Sequence, residues 1–379
     1  MKNRKLFGIT VWLVCMIAFI NYSSILAQET RREKCKRGIE KRRNVTESRT
    51  ATSHSNAGKT LAGAHFNVGY RVLDLKDQGS DEEKIITLAV WYPTMAVPKQ
   101  DIYGGQATGN FALNGEPDAE GGPYPLLVFS HGYGGTGLGR VFLTEVLASY
   151  GWIVVAPDHH DRHSVARIRT GRQEDFNRSE FWKHAREIVN SGPKDREQYL
   201  YRLDEMKLVL DQILESEPFG KLIDKEKIAV GGHSFGGYTA LGLCGTIKDR
   251  HDERIKAILL FSTGAGGYLF RESELAAVKL PSMYFLGERE RDQTRGTKTM
   301  VELADKVYRN LSPPKYLLEI KGANHFSFST RLGESEQLEV IRRYSIAFLE
   351  KHISKNKDAN EILKQGDPFI TRYVREDGE

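Results

Sequence analysis

The chain has 379 residues, of which 40% are hydrophobic, enough for a sizeable core in one large α/β domain or two small ones. Its formal net charge of +5 is unevenly distributed, because residues 1–43 hold 11 Lys/Arg and 3 Glu and the remainder holds 44 basic and 47 acidic residues. A nearly neutral body lacks the basic stripe that nucleic-acid binding requires, so we expect no nucleic-acid partner.

The N-terminus has the pattern of a secretory signal. Basic residues precede an apolar run from Leu6 to Ile20, and small residues follow up to Ala27. This order predicts a signal peptide over residues 1–27 and a secreted or periplasmic protein. The alternative is an uncleaved membrane anchor, although the apolar run is short for a full span.

A polar leader is predicted over residues 28–60, with 8 basic residues between Arg31 and Arg43. Such a run is either a solvated tail or a weak contact with a membrane or lipoprotein surface. Asn44-Val45-Thr46 is a glycosylation pattern that has meaning in a eukaryotic secretory pathway. Cys35 and Cys244 make no disulfide framework, and Cys244 falls on an apolar helical pattern that predicts a core residue.

Short apolar runs alternate with helical periodicity from about residue 64, within a predicted domain of residues 61–379. Strands are predicted at Ile85–Trp91, Leu126–Phe129, Trp152–Ala156, Lys227–Val230, Ile258–Phe261, Ser282–Leu286 and Tyr316–Ile320. Helices are predicted at Val141–Tyr150, Tyr199–Ile213, Phe235–Cys244, Met300–Leu311 and Leu338–Ile353. Apolar strands separated by helices indicate a mostly parallel sheet with helices on both faces.

Residues 158–195 interrupt this alternation, because they are too polar and irregular to form core. The segment is either a cap over a pocket or a surface excursion, since long segments of this kind are often functional. The run Asp158-His159-His160-Asp161, followed by His163, has no spacing typical of a metal site. We therefore expect hydrogen-bonded loop residues there, and neither metal nor cofactor.

A candidate nucleophile follows the predicted strand at Lys227–Val230. Gly232-His233-Ser234-Phe235-Gly236 is a G-x-S-x-G pattern between a strand and an amphipathic helix. At such a tight turn the serine hydroxyl is pushed into the open, and a side chain at Gly232 or Gly236 would collide with the neighbouring element. The helix N-terminus adds a positive field where negative charge develops. Ser234 is thus the predicted nucleophile, and His233 is expected to be structural.

A glycine-rich loop follows the predicted strand at Leu126–Phe129. Its sequence is His131-Gly132-Tyr133-Gly134-Gly135. Acyl transfer needs two backbone N–H donors aimed at the tetrahedral oxyanion, and a loop of this kind can supply one of them. We assign the donors to the N–H groups of Tyr133 and Phe235, with the Tyr133 side chain lining the acyl pocket.

A general base is expected on the loop after the last strand of the parallel sheet. His325 lies there, in the turn that follows Tyr316–Ile320. His251 lies in a charged surface stretch and is less favoured. We predict that His325 accepts the proton of Ser234 and returns it to the leaving group.

The carboxylate that orients this histidine is less well specified. The loop after Ile258–Phe261 has no carboxylate, whereas the loop after Ser282–Leu286 has Glu288, Glu290 and Asp292. We expect Asp292 to be the acid, with Glu290 as the alternative. Most carboxylates in such a charge-rich turn are solvated or paired with arginine.

The order of these elements predicts an α/β-hydrolase fold and nucleophilic ester hydrolysis through an acyl-enzyme. A serine peptidase on the same fold is compatible with the same residues. A non-catalytic hydrolase fold used as a binding module is less favoured, because no member of the triad or of the oxyanion hole is missing.

Several segments resemble secreted platelet-activating-factor acetylhydrolases: Leu127–Gly135, Gly151–Arg162, the nucleophile segment from Glu226 to Gly237, and Ala347–His352. This resemblance implies a metal-independent serine esterase that releases short or oxidised acyl chains from phospholipids. It also implies catalytic roles for Ser234 and His325 and oxyanion roles for Tyr133 and Phe235.

The chain is also similar to bacterial polyester hydrolases, which belong to the dienelactone-hydrolase-related group, around Leu318–His325 and Glu290–Asp292. In the acetylhydrolases the acid lies on the sixth strand, where this chain has Leu259–Ser262. The similarity to polyester hydrolases therefore implies an acid after the seventh strand. A polyester or cutinase-like hydrolase, or a general short-chain carboxylesterase, is the alternative function.

Overall fold

The computed structural model describes residues 66–77, 84–295, 297–330, 333 and 335–378. The predicted signal peptide, the leader, Cys35, the glycosylation pattern at Asn44 and the predicted start of the domain at residue 61 lie outside these residues. No helix in the described ranges combines the length and the apolar character needed to cross a bilayer.

The described strands form one large sheet and two short hairpins. In chain order they are β1 (Asn67–Asp77), β2 (Lys84–Thr94), β3 (Lys99–Tyr103), β4 (Ala107–Leu113), β5 (Tyr124–Ser130), β6 (Ile153–Pro157), β7 (Ala166–Arg167), β8 (Gly171–Arg172), β9 (Ile223–His233), β10 (Ile255–Phe261), β11 (Ser282–Gly287), β12 (Thr294–Arg295), β13 (Lys298–Thr299), β14 (Lys315–Ile320) and β15 (Ile370–Glu376). The large sheet has the order β15-β14-β11-β10-β9-β5-β6-β2-β1-β4-β3, and β7–β8 and β12–β13 are the hairpins.

Strands β6, β5, β9, β10, β11 and β14, adjacent in this order, run parallel to one another, whereas β2 and β15 pair antiparallel at the two sides of this central group. The α-helices are α1 (Val141–Ser149), α2 (Arg178–Asn190), α3 (Tyr201–Glu215), α4 (Phe219–Leu222), α5 (Phe235–Leu241), α6 (Gly264–Leu269), α7 (Glu272–Leu275), α8 (Met300–Asn310), α9 (Ser335–His352) and α10 (Ala359–Lys364). Because parallel strands end at the same edge, the loops after β5, β9, β10, β11 and β14 meet there.

Both faces of the central strands are buried. On β10, Ile258 and Leu260 belong to one apolar cluster, and Leu259 and Phe261 belong to the other. Helices α3 and α8 contribute to the first cluster, and α1 and α9 contribute to the second. Since each strand is apolar on both sides, it forms the short continuous run by which the sequence predicts it. The predicted mostly parallel sheet with helices on both faces is confirmed.

The seven predicted strands and five predicted helices are all present, with ends that differ by a few residues. The helix predicted over Phe235–Cys244 ends at Leu241 and continues as a π-helical segment, Gly242–Thr246, in which Gly245 has a φ of +114°. Cys244 is buried in that segment, which confirms its predicted place in the core. The sequence analysis does not predict β1, β3, β4 or β15. The edge strand β15 carries exposed charged residues instead of an apolar run.

Residues 158–195 form the β7–β8 hairpin and the thirteen-residue helix α2. Four side chains of α2 are buried: Phe181, Trp182, Ala185 and Ile188. The segment therefore packs on the body of the protein through one apolar face of a helix, in spite of its polar composition.

Replacement of a core leucine should cost far more stability than replacement of an exposed leucine in the same sheet. Leu260 on β10 is fully buried, whereas Leu113 on β4 is 58% exposed. We expect Leu260→Ala to lower the free energy of unfolding by about 2–5 kcal/mol, since it leaves a cavity. Leu113→Ala should change it by less than about 0.5 kcal/mol. Urea denaturation followed by circular dichroism measures both, and equal losses would contradict the assignment of this core.

Candidate active site

Ser234 lies in the tight turn between β9 and α5. Its φ of +54° is in the left-handed region, which costs a non-glycine residue about 1–3 kcal/mol. A Cβ at Gly232 would lie 2.1 Å from the carbonyl oxygen of Gly236, and a Cβ at Gly236 would lie 2.1 Å from that of Ser130. These distances bear out the collision that the G-x-S-x-G pattern predicts, and they explain how the turn closes so tightly.

The structure brings Ser234 and His325 together. Ser234 Oγ lies 3.0 Å from His325 Nε2, a hydrogen-bonding distance, and His325 is on the loop after β14. The carbonyl oxygen of His325 lies 3.0 Å from Nε2 of His233. Burial lowers the pKa of His233 well below its usual value, so its ring is neutral and can donate from Nε2 to that carbonyl. His233 thus supports the backbone of His325, a role that its place in the motif does not reveal.

The other ring nitrogen of His325 faces a buried carboxylate and a buried hydroxyl. His325 Nδ1 lies 3.0 Å from Glu290 Oε2 and 2.6 Å from Ser262 Oγ. The Ser262 hydroxyl donates to the same Glu290 oxygen at 2.5 Å. The second carboxylate oxygen of Glu290 accepts the N–H of Gly287 at 3.0 Å. Glu290 is therefore held from both oxygens in the orientation that meets the imidazole.

Asp292, the acid that the sequence favours, is not brought to His325. It is exposed, whereas Glu290, the predicted alternative, is fully buried. The reason is the single 3₁₀ turn Glu288–Glu290 directly after β11, which directs Glu290 back under the sheet edge. Asp292 lies beyond this turn, and its side chain is exposed.

The surroundings of His325 keep its imidazole neutral. Burial lowers the pKa of His325, and the Glu290 carboxylate opposes this effect without cancelling it. The positive charges of Arg295 and Arg140 lower the same pKa further. A histidine with its pKa below the usual value is ready to accept a proton from the Ser234 hydroxyl near neutral pH.

Two backbone N–H groups near Ser234 have no hydrogen-bond acceptor among the described residues. In the described part of the chain, neither the N–H of Tyr133 nor that of Phe235 has a hydrogen-bond acceptor. Phe235 is the first residue of α5, where helical N–H groups have no partner within the helix. A Cβ on Gly132, beside Tyr133, would lie 3.3 Å from Ser234 Cβ, so the loop passes directly alongside the nucleophile. Two N–H groups without acceptors beside the nucleophile meet the requirement of a two-donor oxyanion hole.

Aromatic side chains pack on those of Tyr133 and Phe235, and residues 158–195 supply part of them. Phe181 stacks on Tyr133 with 5.2 Å between ring centroids, and the Tyr133 hydroxyl lies 2.6 Å from Nδ1 of His184. Tyr133 also meets Phe235 edge to face at 6.3 Å, and Phe235 meets Tyr199 at 5.1 Å. Helix α2 therefore covers the Tyr133 side of the site, so the segment behaves as a cap there.

The run from Asp158 to Asp161 is hydrogen-bonded within the protein. Asp158 accepts the N–H groups of Gly137 and Ile168 (3.0 and 2.6 Å), His159 and His160 contact Glu205 (2.8 and 2.9 Å), and Asp161 pairs with Arg202 (2.7 Å). Within the described ranges, no group of three or more His, Cys, Asp or Glu side chains is arranged to hold a metal ion.

Comparison with known proteins places this geometry in a family. A family model described as platelet-activating factor acetylhydrolase, isoform II, matches residues 100–369. The platelet-activating factor acetylhydrolase of Cavia porcellus is 26% identical over 287 residues, which are 66% of this chain and 63% of the relative. That of Canis lupus familiaris is 27% identical over 289 residues, which are 65% of this chain and 61% of the relative. The matches thus span less than two thirds of these relatives.

Among solved structures, the ferulic acid esterase from Streptomyces cinnamoneus superposes with a TM-score of 0.59 at 19% identity. The match covers 83% of this chain and 95% of the esterase. It agrees with the mostly parallel sheet, and the fold is the predicted α/β-hydrolase fold. The chain belongs to the family of platelet-activating factor acetylhydrolases, isoform II.

Proposed function

We propose that the protein is a serine esterase that hydrolyses short-chain carboxylic esters through an acyl-enzyme. The observation that carries this proposal is the unbroken chain of contacts from Ser234 through His325 to Glu290, beside two unpaired backbone N–H groups. A nucleophile, a base, an orienting acid and oxyanion donors are what acyl transfer requires.

The reaction begins when His325 Nε2 accepts the proton of Ser234 Oγ as that oxygen attacks the ester carbonyl carbon. The oxyanion receives hydrogen bonds from Tyr133 and Phe235, each worth about 3 kcal/mol of barrier. Glu290 stabilises the imidazolium from the Nδ1 side. His325 then gives the proton to the departing alcohol oxygen, which leaves the acyl group on Ser234. Water repeats the same steps and releases the acid.

The substrate that we propose is a phospholipid with a short or oxidised acyl chain, because the relatives are named platelet-activating factor acetylhydrolases. The aromatic cluster of Tyr133, Phe181 and Phe235 supports this, since it limits the space beside the oxyanion donors. Aromatic acids and polyester units are the alternative acyl groups. The neighbour named a ferulic acid esterase and the aromatic character of the cluster favour testing them.

Replacement of Ser234 by alanine should reduce ester hydrolysis by at least about 10³-fold, because no other group can form the acyl-enzyme. The panel is p-nitrophenyl acetate, butyrate and decanoate, a 2-acetyl phospholipid, methyl ferulate and a p-nitroanilide, with release of acid or chromophore measured. We expect acetyl esters to be cleaved fastest and the anilide to resist. A fluorophosphonate probe should label wild-type protein at Ser234.

A loss much smaller than about 10³-fold in Ser234→Ala, or probe labelling at another residue, would refute the proposed mechanism. Preference for the anilide would indicate a peptidase. A folded wild-type protein without activity on any ester, and without probe labelling, would indicate a non-catalytic binding module.

The acid can be identified from the pH dependence of kcat/KM. His325 must be neutral to act as a base, so wild-type kcat/KM should fall only as the pH drops below about 6.5, the usual histidine pKa. The Glu290 carboxylate raises the pKa of His325. Glu290→Gln should therefore move this acidic limb to lower pH and lower the plateau by about 10²-fold or more.

Asp292→Asn is the matched control, because Asp292 lies on the same loop but is exposed. It should leave both the plateau and the limb unchanged. Loss of activity in Asp292→Asn, with wild-type behaviour in Glu290→Gln, would reverse the assignment of the acid.

We also propose that the enzyme is exported, on the basis of the charged, apolar and small-residue order of residues 1–27. Expression of the full chain in a secreting host should yield mature protein in the medium or periplasm. N-terminal sequencing should then begin at Gln28. Retention in the membrane with an intact N-terminus would show an uncleaved anchor instead.

A further inference from the structure

A buried ion pair lies behind the loop His131–Gly135, which we call the oxyanion loop. Arg202 on α3 and Asp161 after β6 form a two-pronged contact, with Nε–Oδ1 at 2.9 Å and Nη2–Oδ2 at 2.7 Å, and both side chains are fully buried. The Tyr201 hydroxyl donates to the same Oδ1 at 2.7 Å. A buried pair of this kind is weak evidence for a gain in stability, so its hydrogen bonds to other groups are of interest.

The pair binds the backbone on both sides of Tyr133. Arg202 Nη1 donates to the carbonyl oxygen of His131 at 2.7 Å, and Asp161 Oδ2 accepts the N–H of Gly134 at 2.7 Å. Arg202 Nη2 also approaches the carbonyl oxygen of Gly132, at 3.5 Å. Each member of the pair therefore binds the oxyanion loop directly, Arg202 as a donor and Asp161 as an acceptor.

The carbonyl of Gly132 and the N–H of Tyr133 belong to one planar peptide group, and in a trans peptide they point in opposite directions. The Gly132 oxygen is bound at 2.7 Å by His131 Nδ1 and at 2.9 Å by the N–H of Gly135, in addition to the Arg202 approach. Donors on that oxygen determine where the Tyr133 N–H points. A rotated peptide would turn a carbonyl dipole toward the oxyanion and oppose the reaction.

His131 can supply its hydrogen bond because its ring is neutral and its tautomer is set. Burial lowers the pKa of His131 well below its usual value. His131 Nε2 accepts the N–H of His159 at 3.1 Å, which places the ring hydrogen on Nδ1. His159 is itself held between Ser130 and Glu205, at 2.8 Å on each side. The residues behind the loop thus form one connected network.

The charges of the pair persist across the working pH range. Burial alone would raise the pKa of Asp161, but the Arg202 guanidinium outweighs it and holds this pKa at about 2. The guanidinium also lies 4.8 Å from the ring centroid of Phe235, the residue whose N–H is the second proposed donor. Arg202 therefore contacts the backbone beside the Tyr133 donor and the side chain of Phe235, the residue that carries the second donor.

We infer that the Arg202–Asp161 pair is a positioning device for the oxyanion hole, which holds the Gly132–Tyr133 peptide with its N–H toward the reacting carbonyl. The inference rests on the proposed function, and it assigns Arg202 and Asp161 as positioning residues that never touch the substrate. We therefore expect the pair to help stabilise the transition state and to leave binding of the substrate in its ground state unchanged.

The test is the double variant Arg202→Met/Asp161→Leu, which replaces the pair by apolar side chains and leaves no unpaired buried charge. We expect a folded protein with kcat for p-nitrophenyl acetate lowered about 10- to 100-fold and KM within about twofold of wild type. Inhibition by a trifluoromethyl ketone, which forms a tetrahedral adduct with the serine, should weaken by a similar factor.

The matched control is Arg372→Met/Asp305→Leu, which removes another Arg–Asp contact, at 2.7 Å between β15 and α8. It should leave kcat and ketone inhibition unchanged. Arg202→Lys covers the case in which the double variant fails to fold, because it keeps the charge beside Asp161 but loses the planar fork. Its kcat should also fall, by about 10-fold, with KM unchanged.

An unchanged kcat in the folded double variant, or in Arg202→Lys, would overturn the inference and leave the pair with a structural role alone. A rise in KM with normal kcat would overturn it as well, since that result means a loss of ground-state binding. Ser234→Ala in the same assay distinguishes failure of the proposed function from failure of this inference. If that variant is inactive while the Arg202 variants are normal, the proposed function stands and only this inference fails.

Discussion

The close approach of Gly232 and Gly236 around Ser234 is the constraint on which the rest of the site depends. Without side chains at these glycines, β9 passes into α5 in a single residue with a φ of +54°. This turn holds the Ser234 hydroxyl and the first N–H of α5 in one rigid unit. The loops after β5, β11 and β14 then need only reach that point, because parallel strands end at the same edge.

The contact between His325 and its carboxylate depends on residues that follow two neighbouring strands, β10 and β11. Ser262, directly after β10, has a short side chain. Glu290 reaches His325 from the loop after the adjacent strand β11, and its carboxylate accepts the Ser262 hydroxyl. Adjacent strands are about 4.8 Å apart, a gap that a glutamate spans more readily than a shorter carboxylate. The Ser262 hydroxyl binds the incoming carboxylate, so the position after β10 contributes to the site although it has no acid.

Several buried charged residues lie behind the loops of the candidate active site. Glu290, Asp161, Arg202 and Glu205 are all almost fully buried, and each has hydrogen-bond partners that compensate part of its desolvation cost. Such networks are expensive but directional, since each partner restricts orientation as well as position. The networks of Glu290 and of Arg202 with Asp161 are directed at His325 and at the oxyanion loop. Their desolvation cost thus accompanies a fixed orientation of groups that the proposed chemistry uses.

The sequence alone determined the architecture, the Ser234 turn, the loop at Tyr133 and the place of His325. These follow from short-range patterns: apolar runs for strands buried on both faces, glycines where a Cβ cannot fit, and chain order for the histidine. Tertiary structure alone decided which carboxylate meets the imidazole, because the 3₁₀ turn after β11 buries Glu290 and exposes Asp292. It also decided the contacts of Ser262 with His325 and of Arg202 with the oxyanion loop, which join residues far apart in the chain. A local sequence pattern does not specify which distant side chain fills a given space in the packed core. These contacts could therefore be identified only from the tertiary structure.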